Sequence, residues 1–360
     1  MFSTRQLAFG IATFIGGSSL FTIFITQITF QDSWLSVLLS LLLSLAVFWI
    51  YACLMRRFPR RGLLEIHLAV YGKALGRILN FFYTLFCLCA TAFSLRNLGD
   101  FFTGYIMTEM PLWFMLLAVS VTCTLTALGG TRAILRTAFP FFVFLLVALL
   151  ANSLLLLPNM RSYNFLPMLR LGWKAYAHAG FVLAAAPFCE SMVFLILLPY
   201  AAPDARPRKS FFTGLLLGSF FFLITMCRDI ASLGTALTFL AEPTYESVRL
   251  INLMDIFSRL EILFAFSLII MRVFKISILF CAALRGIEDT IGRPPERKGL
   301  WLLLIGLVSA AISFYAFKSG IALPEWFRSI GAWFFVVFEM VLPLLTLLVS
   351  LLRGIKQKKS

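Results

Sequence analysis

Charge is what this sequence has least of. Only 13% of its 360 residues are Asp, Glu, Lys or Arg, about half of what a soluble domain of this size uses to wet its surface. Acid is scarcer than base, with 16 Asp and Glu against 31 Lys and Arg, and the two histidines, His67 and His178, lie far apart. No group of metal ligands can be assembled from so few, so a metal site is not expected. Seven cysteines (Cys53, Cys87, Cys89, Cys123, Cys189, Cys227 and Cys281) sit in or beside apolar runs with no CxxC pair. That spacing indicates neither a disulfide framework nor a zinc site. A nucleophile, base and oxyanion set is missing, as is any phosphate-binding loop. The expectation is a protein that is not an enzyme and carries no cofactor.

Apolar residues fill the space that charge leaves: 61% of the chain is hydrophobic, with 40 Phe. Apolar runs of roughly 18–25 residues recur throughout, each able to cross a hydrocarbon core of about 30 Å as a helix. Ten spans are expected, at roughly 6–29, 33–54, 78–103, 112–128, 138–157, 176–202, 210–231, 258–284, 299–317 and 331–352. The fold class is therefore an all-α polytopic membrane protein. The first run, from Leu7 to about Ile28, is longer than the roughly 7–15 residues of a signal-peptide core and lacks an A-x-A site. It reads as a retained span.

The net charge of +15 has no nucleic-acid motif beside it. Basic residues instead cluster in short loops, as orientation signals do. Arg56, Arg57, Arg60, Arg61, Arg132, Arg136, Arg206, Arg208, Lys209, Arg285 and the tail 353–360 fall on one side, which places both termini in the cytoplasm. The opposite side holds the longest non-spanning piece, 232–257. There Val248, Ile251, Leu253, Met254, Ile256 and Phe257 recur at helical spacing after Pro243, so an interfacial amphipathic helix is expected.

Ten spans divide into five and five, 6–157 and 176–352. The first span of each half is interrupted, by IGGSSL (Ile15–Leu20) and by APFCES (Ala186–Ser191). Paired interruptions at corresponding places in two halves point to a transporter-type site near the bilayer midplane. Unwound backbone is tolerated there only where it lines a cavity. Within AAAPFCESMVFLILLPY (Ala184–Tyr200) the one carboxylate is Glu190. An acid at a helix centre costs about 2.5–3.5 kcal/mol on insertion scales, and such residues face the bundle interior. Glu190 either lines a ligand cavity or braces the break.

Candidate ligand-binding positions are Gly16, Gly17, Ser18, Ser19, Asn97, Pro187, Cys189 and Glu190. At Gly16–Ser19, freed N–H groups would suit a carboxylate, although small residues also let helices approach closely. Arg96, Arg272 and Lys275 are candidates for a polar core, the last two sharing a helix face. Arg228 and Asp229 sit together in span seven. Glu339 is isolated in span ten, where a hydrogen bond to a neighbouring helix is the simpler expectation than a proton relay. Gly214 and Gly218 form a GxxxG packing face.

These residues resemble a family. STRQLAFGIATFIGGSSLF (Ser3–Phe21), QDSWLSVLLS (Gln31–Ser40), RFPRRGLLEI (Arg57–Ile66), YGKALGRIL (Tyr71–Leu79), PFCE (Pro187–Glu190), EPTYESVRLI (Glu242–Ile251), DIFSRLEIL (Asp255–Leu263) and FKIS (Phe274–Ser277) follow one another. That order is similar to the endospore germination B-subunit family, the membrane subunits of spore nutrient receptors, within the amino acid–polyamine–organocation transporter superfamily. The resemblance runs from about residue 3 to 280. It implies an inverted 5+5 repeat (LeuT/APC-like) with helices one and six broken, and a midplane pocket for a nutrient, an amino acid being the first candidate. It further implies two partners, an A-type membrane subunit and a C-type lipoprotein, in the inner spore membrane. Lys275 matches the family's lysine and is placed to neutralise Glu190 or to stand in for a coupling cation.

Three positions depart from the family pattern. Ser18 stands at the second glycine of the first-span motif, and Cys189 at the glycine of span six. In GGTRAILR, Arg136 is kept while Arg132 occupies an acid position. Side chains at the two glycine positions narrow or alter the pocket. A proton-coupled amino acid permease, with Glu190 as the proton carrier, is the alternative function; a purely structural scaffold would need neither paired breaks nor buried charges.

Overall fold

The computed structural model describes residues 1–18, 22–251, 260–292 and 296–357, with side chains described from 263 onward in the third stretch. Its described residues are almost wholly helical. Helix α1 (Thr4–Gly16) opens with a capping box: Ser3 Oγ accepts from the Gln6 N–H while Gln6 Oε1 accepts from the Ser3 N–H. There follow α2 (Ile23–Thr29), α3 (Ser33–Arg57), α4 (Leu63–Tyr71), α5 (Lys73–Phe101), α6 (Leu112–Leu128), α7 (Gly130–Leu155), α8 (Trp173–Leu183) and α9 (Val193–Ile196). Helix α10 (Pro207–Leu233) and α11 (Pro243–Arg249) each begin with a proline, which loses nothing at a helix start because the first N–H groups have no intrahelical acceptor. The chain continues through α12 (Leu260–Ile291), α13 (Lys298–Ala316), α14 (Ala322–Trp326), α15 (Ala332–Val336) and α16 (Leu342–Leu352).

Among the described residues, eight helical stretches are long and apolar enough to cross a membrane: Ile23–Arg57, Lys73–Ile106, Gly130–Leu155, Trp173–Ile196, Pro207–Thr238, Leu263–Ile291, Lys298–Ala316 and Ala322–Leu352. The other two expected spans correspond to α1, which stops early at its break, and α6, a shorter apolar helix. The chain is thus an integral, multi-pass membrane protein. The spans differ in what they face. Of the most apolar window in α7, 28% is buried, against 94% in Trp173–Ile196. The broken sixth span is therefore wrapped by protein, as irregular backbone at membrane depth must be.

Packing partners exchange in pairs. Helix α1 lies along α10 and α8 along α3, while α5 packs on α12 and α6 on α13. Swapping the first five spans for the last five maps each pair onto another pair or onto itself. The α1–α10 contact uses the GxxxG face as expected: a Cβ on Gly214 would fall 2.6 Å from Ile11 Cβ, and one on Gly218 would fall 2.8 Å from Ile15 Cβ. Both termini sit at one end of the bundle. Phe2 bonds the backbone of Tyr200 and Ala202, Arg60 reaches the Pro203 carbonyl, and Arg57 donates to the carbonyls of Ser350 and Ile355.

Segment 232–257 is described in part. Helix α11 begins at Pro243, and Val248 and Ile251 pack with Leu156. The apolar positions Leu253, Met254, Ile256 and Phe257 lie outside the described residues.

Candidate functional site

Two breaks meet at the centre of the bundle. The first follows Gly16 and Gly17; the second runs from Ala184 to Met192. There a wide turn (Ala184–Phe188) holds Ala186 in extended geometry (φ −142°, ψ 126°), followed by a tight turn, Cys189–Met192. Pro187 explains the extended residue, because its ring clashes with a helical conformation at the position before it. Glu190 sits at the start of the second piece and is buried.

Lys275 on α12 closes the gap between the breaks. Its ammonium lies 2.6 Å from Glu190 Oε2 and 2.6 Å from Ser18 Oγ, and 4.9 Å from the centre of the Phe14 ring. A carboxylate, a hydroxyl and an aromatic face thus converge on one cation. Lys275 and Glu190 are 0% and 1% exposed, so the cluster is closed to water in this conformation. One helical turn away, Arg272 donates to Asn97 Oδ1 on α5. The expected residues Ser18, Glu190 and Lys275 are therefore brought together, with Arg272 and Asn97 beside them. Ser19 lies outside the described residues.

Other candidates are placed differently. Arg96 pairs with Asp100 at 2.8 Å and donates to the carbonyls of Ser313 and Phe317, tying α5 to the end of α13 rather than joining Lys275. Cys189 points its thiol at Ser44 on α3, 3.6 Å away. Gly16 and Gly17 are close-approach positions. A Cβ on Gly17 would fall 3.0 Å from the Met271 carbonyl oxygen, and one on Gly16 3.0 Å from the Met271 side-chain tip.

Among the described residues, the expected donors Gly17 and Ser18 at the first break are already used. The Gly17 N–H bonds to the Thr13 carbonyl and the Ser18 N–H to that of Ile15, so α1 ends here as a carbonyl terminus. Such an end carries partial negative charge and favours a cation. An ammonium, not a carboxylate, is what this end suits. A second correction concerns Glu339. It is fully buried beside the site, and neither carboxylate oxygen has a hydrogen-bond partner, so the expected bond to a neighbouring helix is not made by its side chain.

The reading of the sequence missed a latch between α10 and α11. Asp229 accepts from Thr244 (2.6 Å), Ser247 (2.7 Å) and its neighbour Arg228 (2.7 Å), which fixes α11 onto the end of α10. Thr22, just after the first break, lies 3.3 Å from the Thr244 hydroxyl. Glu242, at the start of α11, is buried with Oε2 unpartnered. Burial pushes its carboxyl well above the ordinary range; Arg272 opposes that and Asp100 adds to it. Beneath the latch a cavity of about 40 Å³ is lined by Asn152, Thr225, Arg228, Thr244, Ser267 and Met271. Asp229 lies 15 and 18 residues before Thr244 and Ser247, so no helical spacing marked the latch in the sequence.

At the opposite end, α4 is pinned by polar contacts. His67 pairs with Asn80 at 2.8 Å, Asn80 donates to Asp289, and Arg285 bridges to Glu65 at 3.0 Å. Burial holds the His67 imidazole neutral, pulling its pKa to about 4. Arg132 and Arg136 are exposed.

A closed bundle with two broken helices around a buried ion pair is the architecture of a membrane transporter fold. The comparisons agree. Two variants of the Eremococcus coleocola manganese transporter superpose with TM-scores of 0.59 and 0.53, at 14% and 13% identity, each over 95% of this chain and 78% of theirs. At that identity the likeness is one of fold. A family model described as Spore germination protein (spore permease) matches residues 1–320, and the chain belongs to that family. Spore germination protein KB of Bacillus subtilis (strain 168) is 22% identical over 362 residues, spanning 99% of this chain and 96% of that protein.

Proposed function

We propose that the chain is the membrane subunit of a spore nutrient receptor, in which a small nutrient, an amino acid, binds between the two broken helices and signals through partner subunits. The observation that carries this reading is the closed cluster of Glu190, Lys275 and Ser18 at the junction of the breaks. Glu190 and Lys275 mimic the two ends of an amino acid. A ligand ammonium would replace that of Lys275 on Glu190 and the carbonyl end of α1, while its carboxylate would take Lys275. Exchange of an internal ion pair for a ligand favours a different arrangement of the halves 6–157 and 176–352. The shift equals the ligand's differential affinity for the two arrangements. The latch at Asp229, Thr244 and Thr22 lies between the site and the outer side, so it opens for entry.

In this reading the termini are cytoplasmic, the membrane is the inner membrane of the spore, and the partners are an A-type membrane subunit and a C-type lipoprotein. Membership of the germination family supports it. Likeness to transporter structures over nearly the whole chain favours a second reading, proton-coupled amino acid uptake through the same site. A divalent cation, the cargo named for those structures, is opposed by the ammonium of Lys275. Purification of the tagged full chain from dormant spores and from growing cells tests the choice. Recovery from spores with both partners supports the receptor. Recovery alone from growing cells overturns it in favour of the permease.

A further inference from the structure

The central site holds more acid than base. Glu339 lies on a wide helical turn, Val337–Val341, that packs directly on the turn Cys189–Met192 carrying Glu190. It is 0% exposed, and both carboxylate oxygens lack a hydrogen-bond partner. Two tyrosines reach the same turn, but their protons are spent on backbone. Tyr51 on α3 donates to the Glu339 carbonyl at 2.6 Å, and Tyr83 on α5 donates to the Phe338 carbonyl at 2.7 Å. A tyrosine hydroxyl has one proton to give, so neither also serves the carboxylate.

The titratable groups that face Glu339 are Glu190 and Cys189 from the broken span, Lys275 from α12, Tyr51 from α3 and Tyr83 from α5. Of these, the thiol and the two phenols are neutral at ordinary pH. Lys275 holds Glu190 and Ser18 at 2.6 Å each. Arg272, one turn along α12, is shared between Glu190 and the buried Glu242, so two cations stand against three carboxyl groups, and neither cation hydrogen-bonds to Glu339. In a place closed to water an uncompensated charge is strongly disfavoured, and a proton on Glu339 removes it.

We propose that Glu339 is a proton-binding site of the central cluster: it holds a proton while Lys275 is seated on Glu190, and releases it when an ammonium moves onto it. In the release step the carboxyl O–H breaks, the proton leaves to water, and the carboxylate pairs with the arriving ammonium; charge and atoms balance. That ammonium belongs to Lys275, once displaced, or to a bound ligand. The ligand case rests on the function proposed above, whereas the resting proton does not. The site thereby links occupancy of the Glu190 position to proton uptake and release.

The test needs no ligand, so it stands even for a chain that binds no nutrient. The full chain is reconstituted in lipid nanodiscs with glutamate labelled by ¹³C at its side-chain carboxyl, and infrared spectra are taken at neutral pH. The expected result is a protonated-glutamate band that loses one component in Glu339→Gln and keeps that component in Glu242→Gln. In Glu190→Gln the Glu339 component should also disappear, because Lys275 then turns to Glu339. Lys275→Gln should enlarge the band, since Glu190 then loses the ammonium hydrogen-bonded to it, and this variant carries the test if Glu339→Gln does not fold. Identical acid bands in wild type and Glu339→Gln would overturn the proposal. So would an unchanged band in Glu190→Gln or in Lys275→Gln.

Discussion

Two buried ion pairs in this molecule look alike in distance and differ in everything else. Arg228 and Asp229 are 2.7 Å apart and adjacent in sequence. Asp229 also takes hydroxyl donors from Thr244 and Ser247, both on the short helix it anchors. Lys275 and Glu190 are 2.6 Å apart but 85 residues apart in sequence, on different helices. Beside them Glu339 has no hydrogen-bond partner, and the nearby backbone is broken on both sides. The first pair is saturated and local, so it fixes one element. The second sits beside an unpartnered carboxyl group and joins elements that a change of conformation would separate.

The largest effect should come from breaking the central pair. Lys275→Met strips buried Glu190 of its hydrogen-bonded ammonium and should cost about 3–5 kcal/mol, read as a fall in thermal stability in nanodiscs. Replacing both members, Glu190→Leu with Lys275→Met, should recover most of that loss; additive damage would show that the two residues act independently. Asp229→Ala should cost about 3 kcal/mol, because it strands Arg228. Its damage should stay local, raising hydrogen exchange at Pro243–Arg249 and leaving α12 protected. Spread of that exchange into α12 would erase the distinction between the pairs.

Gly17→Ala sharpens the comparison from the packing side. Its Cβ would press on the Met271 carbonyl oxygen at 3.0 Å, just before the turn that presents Arg272 and Lys275. A cost of about 1–3 kcal/mol is expected, together with weakened coupling between Glu190 and Lys275 in the double-mutant comparison. Unchanged coupling would mean that the close approach does not position the pair.

The smallest effect is pH-dependent and belongs to the α10–α11 latch. Folding raises the carboxyl of Glu242, so the folded state binds this proton more tightly than the unfolded state. Its stabilising contribution is complete below the ordinary carboxylate range of about 4.5 and is lost as pH rises through the elevated folded value. Protection of Pro243–Arg249 against hydrogen exchange, corrected for intrinsic rates, should fall along that rise. Glu242→Gln should flatten it; an equal slope in the variant would assign the dependence elsewhere.

Much of this was legible in the residues. Pro187 and the glycine pair at Gly16 and Gly17 marked both breaks, and Glu190 and Lys275 were conspicuous as lone charges in apolar runs. Which charge pairs with which is a matter of how distant helices pack, and periodicity carries no such information. The polarity of the first break was hidden for a similar reason. A glycine pair says that a helix stops, but whether N–H groups or carbonyls face the gap depends on the path of the chain beyond it. Arg96 is a different case, because its partner Asp100 stands four residues on, a spacing that marks a pair on one helix face. Glu339 stood out in the sequence, yet only the structure shows that Tyr51 and Tyr83 spend their protons on backbone carbonyls.

The measurement that bears most directly on the central claim is binding of a panel of amino acids to the full chain in nanodiscs, compared between wild type and Glu190→Gln, with Asp229→Asn as a control outside the pair. At least one amino acid should bind wild type and the control, and lose ten-fold or more in affinity in Glu190→Gln. Equal affinity in Glu190→Gln would contradict the account, because the ligand would then sit somewhere other than between the broken helices.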